Sequence, residues 1–161
     1  MKKIIPMLLL CCVAAFAQSQ KPAIAVYVTG GSNPGEDKFL NTRMFAALDK
    51  INLFKQVERA DVFQDQVAKE LYKQMDGSVA NKEIRKAGKQ FGVQYICVVE
   101  VAFAFGMTQF SARILDVETM EAIATGAAET EEQLRGAEIN KMIKAVMDKI
   151  TPGILKALER R

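Results

Sequence analysis

The chain has 161 residues, half of them hydrophobic, with 22 basic and 19 acidic side chains, no histidine and no tryptophan. A formal net charge of +3 is too small to mark a binder of polyanions. The missing imidazole excludes Ser-His and Cys-His nucleophile pairs, histidine-bound zinc and most general-base schemes at neutral pH.

The chain opens with Lys2 and Lys3, an apolar stretch from Ile4 to Phe16, and Ala15-Phe16-Ala17 just ahead of Gln18. Charged start, apolar middle and small-residue site are the three parts of a secretory signal. Thirteen apolar residues make about 20 Å of helix against a hydrocarbon core of roughly 30 Å, so a retained span is not expected. Lipidation at Cys11 or Cys12 is not expected either, because Leu8-Leu9-Leu10 puts no small residue before the first cysteine. The reading is a cleavable signal peptide over 1–17 and a single globular α/β domain over 18–161, exported to the periplasm, with secretion as the alternative. Losing Lys2 and Lys3 from the 22 basic residues leaves 20 against 19 acidic, a net charge of +1. Cys97 becomes the only cysteine, so the core alone must hold the fold, which a chain of this length can manage.

Ala23 to Thr29 is apolar without alternation, the pattern of a strand covered on both faces. Asn33-Pro34-Gly35-Glu36 predicts a helix start, with Asn as cap, Pro at the first helical position and Glu to reach back. Leu40, Met44, Ala47, Leu48 and Ile51 line one face of that helix. A short strand follows over 54–58. Asp61 and Gln64 then cap a second helix striped by Phe63, Val67, Leu71 and Met75, ending at Asp76-Gly77-Ser78. A third helix turns Ala80, Ile84, Ala87 and Phe91 inward and stops at Gly92.

Residues 93–105 and 108–117 flank Gly106-Met107, and glycine at the first central position predicts a two-residue type II′ hairpin. That turn places Val101 opposite Ala112, Val99 opposite Ile114, Phe103 opposite Phe110 and, on the other face, Glu100 opposite Arg113 as a cross-strand ion pair. A third antiparallel strand covers 120–128. Thr130-Glu131-Glu132-Gln133 reads as a capping box for a last helix that buries Ile139, Met142, Ile143, Val146 and Ile150 and is broken at Thr151-Pro152. The predicted fold is α/β: one mixed β-sheet, parallel in its N-terminal part and an antiparallel meander in its C-terminal part, with helices packed on it.

Chemistry-bearing residues are few. Cys97 lies mid-strand and reads as a buried hydrophobe. The loop Gly30-Gly31-Ser32-Asn33-Pro34-Gly35 has the placement of a phosphate cradle and the spacing of Walker glycines. The next positions are Glu36 and Asp37, where such a loop needs Lys and Ser or Thr, so a phosphate would meet two negative charges. Glu129, Glu131 and Glu132 read as helix-start charges, and Asp61 and Asp65 as the solvent side of a helix; no calcium loop is present. Lys82, Arg85, Lys86 and Lys89 form the one basic cluster, read as the solvated face of the third helix.

Four segments carry a resemblance. They are Val57-Glu58-Arg59, Glu70-Leu71, the run from Gly88 to Ile96, and Ala112-Arg113-Ile114-Leu115-Asp116-Val117-Glu118-Thr119. Together they resemble a group of bacterial envelope domains that includes the curli secretion subunit CsgG, the penicillin-binding-protein activator LpoB and the N-terminal domain of TolB. The resemblance implies that Arg59, Glu70, Arg113, Asp116 and Thr119 are structural family positions and that none is catalytic. Met120 stands where the family turn has glycine. The tight Gly106-Met107 turn leaves no room for the long hairpins of a pore, and Gln18 to Lys21 is too short for the tether of the synthase activator.

The sequence thus predicts a non-enzymatic periplasmic protein-binding module of cell-envelope biogenesis or outer-membrane assembly and secretion. It is expected to bind another envelope protein through its sheet or adjoining helices, with no cofactor, metal or nucleic acid. Two alternatives remain open: a small-molecule or nucleotide binder using the Gly30 to Gly35 loop, and a self-assembling structural subunit.

Overall fold

The computed structural model describes residues 21–56, 65, 80–131 and 135–160. The expected signal segment, most of the second helix with its stripe and caps, and Arg59 and Glu70 lie outside the described residues. The elements are β1 (Ala23–Thr29), α1 (Pro34–Ile51), β2 (Lys55–Gln56), α2 (Ala80–Phe91), β3 (Tyr95–Ala104), β4 (Met107–Asp116), β5 (Ala122–Thr130) and α3 (Gly136–Leu158).

The sheet has five strands in the order β2-β1-β3-β4-β5. β1 runs parallel to both β2 and β3, whereas β3, β4 and β5 form an antiparallel meander. The predicted mixed architecture is therefore the one found. β1 sits inside the sheet, and its five central residues are buried, as its unbroken apolar run requires.

Two apolar layers flank the sheet. On one face Val26, Val28, Cys97, Val99, Phe110 and Ile114 pack against Leu40, Met44 and Leu48 of α1 and against Ile139, Met142, Ile143, Val146 and Ile150 of α3. On the other face Ala25, Tyr27, Ile96, Val98, Leu115 and Val117 pack against Ile84 and Ala87 of α2. The predicted inward residues of all three helices are thus recovered where they are described, apart from Ala47, Ile51 and Phe91, which are half-buried.

Asn33 caps α1 as predicted: its Oδ1 accepts from the Gly35 and Glu36 amides at 3.0 and 3.1 Å. α2 ends at Gly92, whose φ of +67° lets the Val93 amide reach back to the Gly88 carbonyl at 3.0 Å, a helix stop that favours glycine.

Three expectations are corrected. The hairpin turn is Phe105-Gly106, with φ of +53° and +77°, the two positive values that a type I′ turn requires. Val101 accordingly faces Phe110, Val99 faces Ala112, Phe103 faces Thr108, and Glu100 faces Ser111. This is a shift of two residues from the predicted register, so each side chain keeps its face of the sheet. Arg113, now opposite Val98, reaches Glu100 diagonally, and its Nη2 still donates to Oε1 at 2.8 Å.

The second correction concerns the start of the last helix. Thr130 is the final residue of β5, paired with Thr108, and α3 begins only at Gly136 with no side-chain cap on Arg135. Strand pairing has taken the residue that local sequence offered as a cap. Third, α3 does not break at Thr151-Pro152 but runs through to Leu158. An internal proline costs about 3 kcal/mol. Ile150 and Ile154, fully buried on either side of it, each contribute about 1.5 to 3 kcal/mol, enough to hold the helix through the lost hydrogen bond.

Candidate binding site

The carboxyl ends of β1 and β3 point to one end of the sheet, where β1 leaves through the Gly30 to Gly35 loop. Gly30 crosses directly over β3: its φ is +91°, and a Cβ there would lie 2.1 Å from the Val101 carbonyl oxygen. Only glycine allows this approach. The glycine of this loop thus serves backbone packing.

The amides of Gly31, Ser32 and Gly35 already have partners within the chain. Gly31 N–H donates to Asp37 Oδ1 at 2.9 Å and Ser32 N–H to Glu36 Oε2 at 2.8 Å, while the first amides of α1 go to Asn33. The carboxylates of Glu36 and Asp37 therefore take the donors that a phosphate would need. Partial burial raises the Asp37 pKa above its ordinary value, against the lowering effect of the Gly31 hydrogen bond, with Glu36 adding to the rise. An incoming anion would meet these two carboxylates before it met an amide.

Beside this loop lies a groove of about 610 Å³. Leu40, Val101 and Ile139 form its apolar floor and Thr108 a buried polar point within it. Phe39 and Phe103 stand at its mouth, 43% and 53% exposed. The Arg43 guanidinium lies 5.0 Å over the Phe39 ring, a cation stacked at the apolar side of the opening, while Ser32, Asn33 and Glu36 line its polar side. Five parts of the chain contribute: the loop from Gly31 to Asn33, the start of α1, the ends of β3 and β4 nearest the hairpin, and the first turn of α3.

The described positions that carry the resemblance, Arg113, Asp116 and Thr119, lie outside this groove. Asp116 is buried, and its Oδ1 accepts from the Glu118 and Thr119 amides at 2.8 and 3.2 Å. Thr119 Oγ1 accepts in turn from the Glu121 amide at 3.1 Å. These two residues build the β4–β5 turn, and Met120 adopts φ +59° in it, the conformation a glycine would take most readily. Arg113 lies on the more polar face of the sheet with Glu100, near Ser111 and Thr125. Of the basic cluster, Arg85 and Lys89 hold Glu118, with Arg85 Nη2 donating to its carbonyl at 2.6 Å.

Cys97 is fully buried with Val99 in the first apolar layer, and burial pushes its thiol pKa far up, which removes the nucleophilic thiolate. Among the described residues no cluster of three His, Cys, Asp or Glu side chains could hold a metal, and no helix is long and apolar enough to cross a membrane. The groove itself is assembled from residues far apart in sequence, so its components were visible and their convergence was not. Phe39 gave the one local signal, a large apolar residue just off the buried stripe of its helix.

No protein-family model matches the chain, and no curated protein does. Solved structures do. The lipoprotein GNA1162 from Neisseria meningitidis aligns with a TM-score of 0.51 at 14% identity, over 79% of this chain and 94% of that one. The PelC dodecamer from Paraburkholderia phytofirmans gives 0.50 at 9%, over 81% and 88%. TolB from Acinetobacter baumannii gives 0.50 at 12%, over 84% of this chain but only 29% of that much longer one. At these identities the likeness shows the fold. That fold is the one the sequence motifs implied, and TolB is among the proteins those motifs resemble.

Proposed function

We propose that the chain is a non-enzymatic binding module of the bacterial cell envelope, which seats an apolar anchor of another envelope protein in the groove between α1, β3 and α3. The observation that carries this reading is the groove itself, where Phe39 and Phe103 stay exposed above a floor of Leu40, Val101 and Ile139. Ligand and partner sites are commonly concavities of this kind, apolar with a few polar points, which supports the reading. The shared fold and the resemblance to envelope domains support the compartment. In the same reading, residues 1–17 direct export and 18–161 work in the periplasm as one domain.

Crosslinking in intact cells, followed by identification of the captured protein, tests the proposal. Phe39→Ser should lower the yield of an envelope partner about tenfold, the effect of removing one aromatic anchor; an unchanged yield would reject the groove as the site. A second reading, a self-assembling structural subunit, draws on the occurrence of this fold in the PelC dodecamer. Light scattering of the mature protein separates the two.

A further inference from the structure

The β3–β4 hairpin extends beyond its neighbours. β1 pairs with β3 only as far as Glu100, and β5 pairs with β4 only from Thr108 inward. The Gly30 loop crosses at Val101, so among the described residues no third strand pairs with residues 102–107 on either side.

Every one of these six residues is exposed and none is charged. Phe103 projects on one face and Ala102, Ala104 and Met107 on the other, with Phe105 fully exposed at the end. The conformation adds a second observation. Phe105 has φ +53°, in a turn position that favours Asn, Asp or Gly. A bulky residue in that region is strained, and here its side chain gains no burial from folding. Strain kept without return from the fold points to a contact outside it.

We propose that this tip inserts into the headgroup boundary of a phospholipid surface, with Phe105 leading and Phe103 and Met107 flanking. Three features favour lipid over a protein pocket. The tip is apolar on both faces, as an element surrounded by acyl chains must be, whereas a strand docking on a protein has one apolar face. It stands roughly 10 Å beyond Val101 at the usual rise per residue, which matches an interfacial depth of about 5 to 10 Å. Among the described residues its outer strand edges have no pairing strand, so it cannot cross hydrocarbon and stays where water and headgroups satisfy them. The charged residues next along the two strands, Glu100 and Arg113, are paired with each other. Attraction therefore rests on apolar burial and needs no anionic lipid.

The absence of tryptophan from the chain makes Phe105→Trp a unique reporter. Its emission should shift to the blue when the mature protein meets phosphatidylcholine vesicles, and the wild-type protein should float with them. Phe105→Asn should weaken partitioning about tenfold, the factor for removing one inserted aromatic side chain, while its melting temperature holds or rises because asparagine suits the turn. Phe39→Ser should float as the wild type does, so that capture of a partner in the groove and attachment of the tip can fail separately. An unshifted emission, undiminished flotation of Phe105→Asn, or a shift that grows with protein concentration in the absence of vesicles would overturn the proposal, the last by showing a second copy on the tip.

Discussion

The two turns of the antiparallel meander each hold a bulky residue at positive φ, and they do so under opposite conditions. Met120, at φ +59°, packs its side chain against the layer of Ile96, Val98 and Val117, and its turn is tied by Asp116 and Thr119. Phe105, at φ +53°, is fully exposed. Left-handed backbone costs about 1 to 2 kcal/mol at either position. At the first the fold offsets that cost; at the second it offers nothing, which separates a structural turn from one shaped by an external contact.

The largest expected effect belongs to the tied turn. Asp116→Ala leaves two amides of a part-buried turn without their acceptor and should destabilise by about 2 to 3 kcal/mol, read as a fall in the urea midpoint with an unchanged slope. A loss below that of an ordinary surface substitution would break the comparison. Phe105→Asn should act in the opposite direction and stabilise by about 1 kcal/mol, a rise of a few degrees in melting temperature. Met120→Gly should move stability least, since relief of strain and loss of side-chain packing offset each other to within about 1 kcal/mol. If glycine stabilised position 120 as much as asparagine stabilises position 105, the packing of Met120 would count for nothing and the contrast would fail.

The site was less legible than the fold. Asn33 as a cap and Gly92 as a stop are local features, and each is found as read; Glu36 and Asp37 stand in the same local run and accept from the Ser32 and Gly31 amides. The groove needs Phe39, Val101, Phe103 and Ile139 to converge, and no spacing within the chain announces that.

Sequence by itself determined which side of each element faces inward, because the alternation along β4 and the helical stripes of α1 and α3 each admit one inward side. It also determined the excluded chemistry, since an absent histidine cannot be restored by folding. Tertiary structure decided the rest. A hairpin shifted by two residues buries the same side chains, so the choice of Phe105-Gly106 over Gly106-Met107 falls to packing of whole strands. Likewise α3 passes through Pro152 because Ile150 and Ile154 find a core on either side of it, and Thr130 joins β5 because Thr108 lies opposite. In each case a long-range contact outweighed a local preference of comparable size.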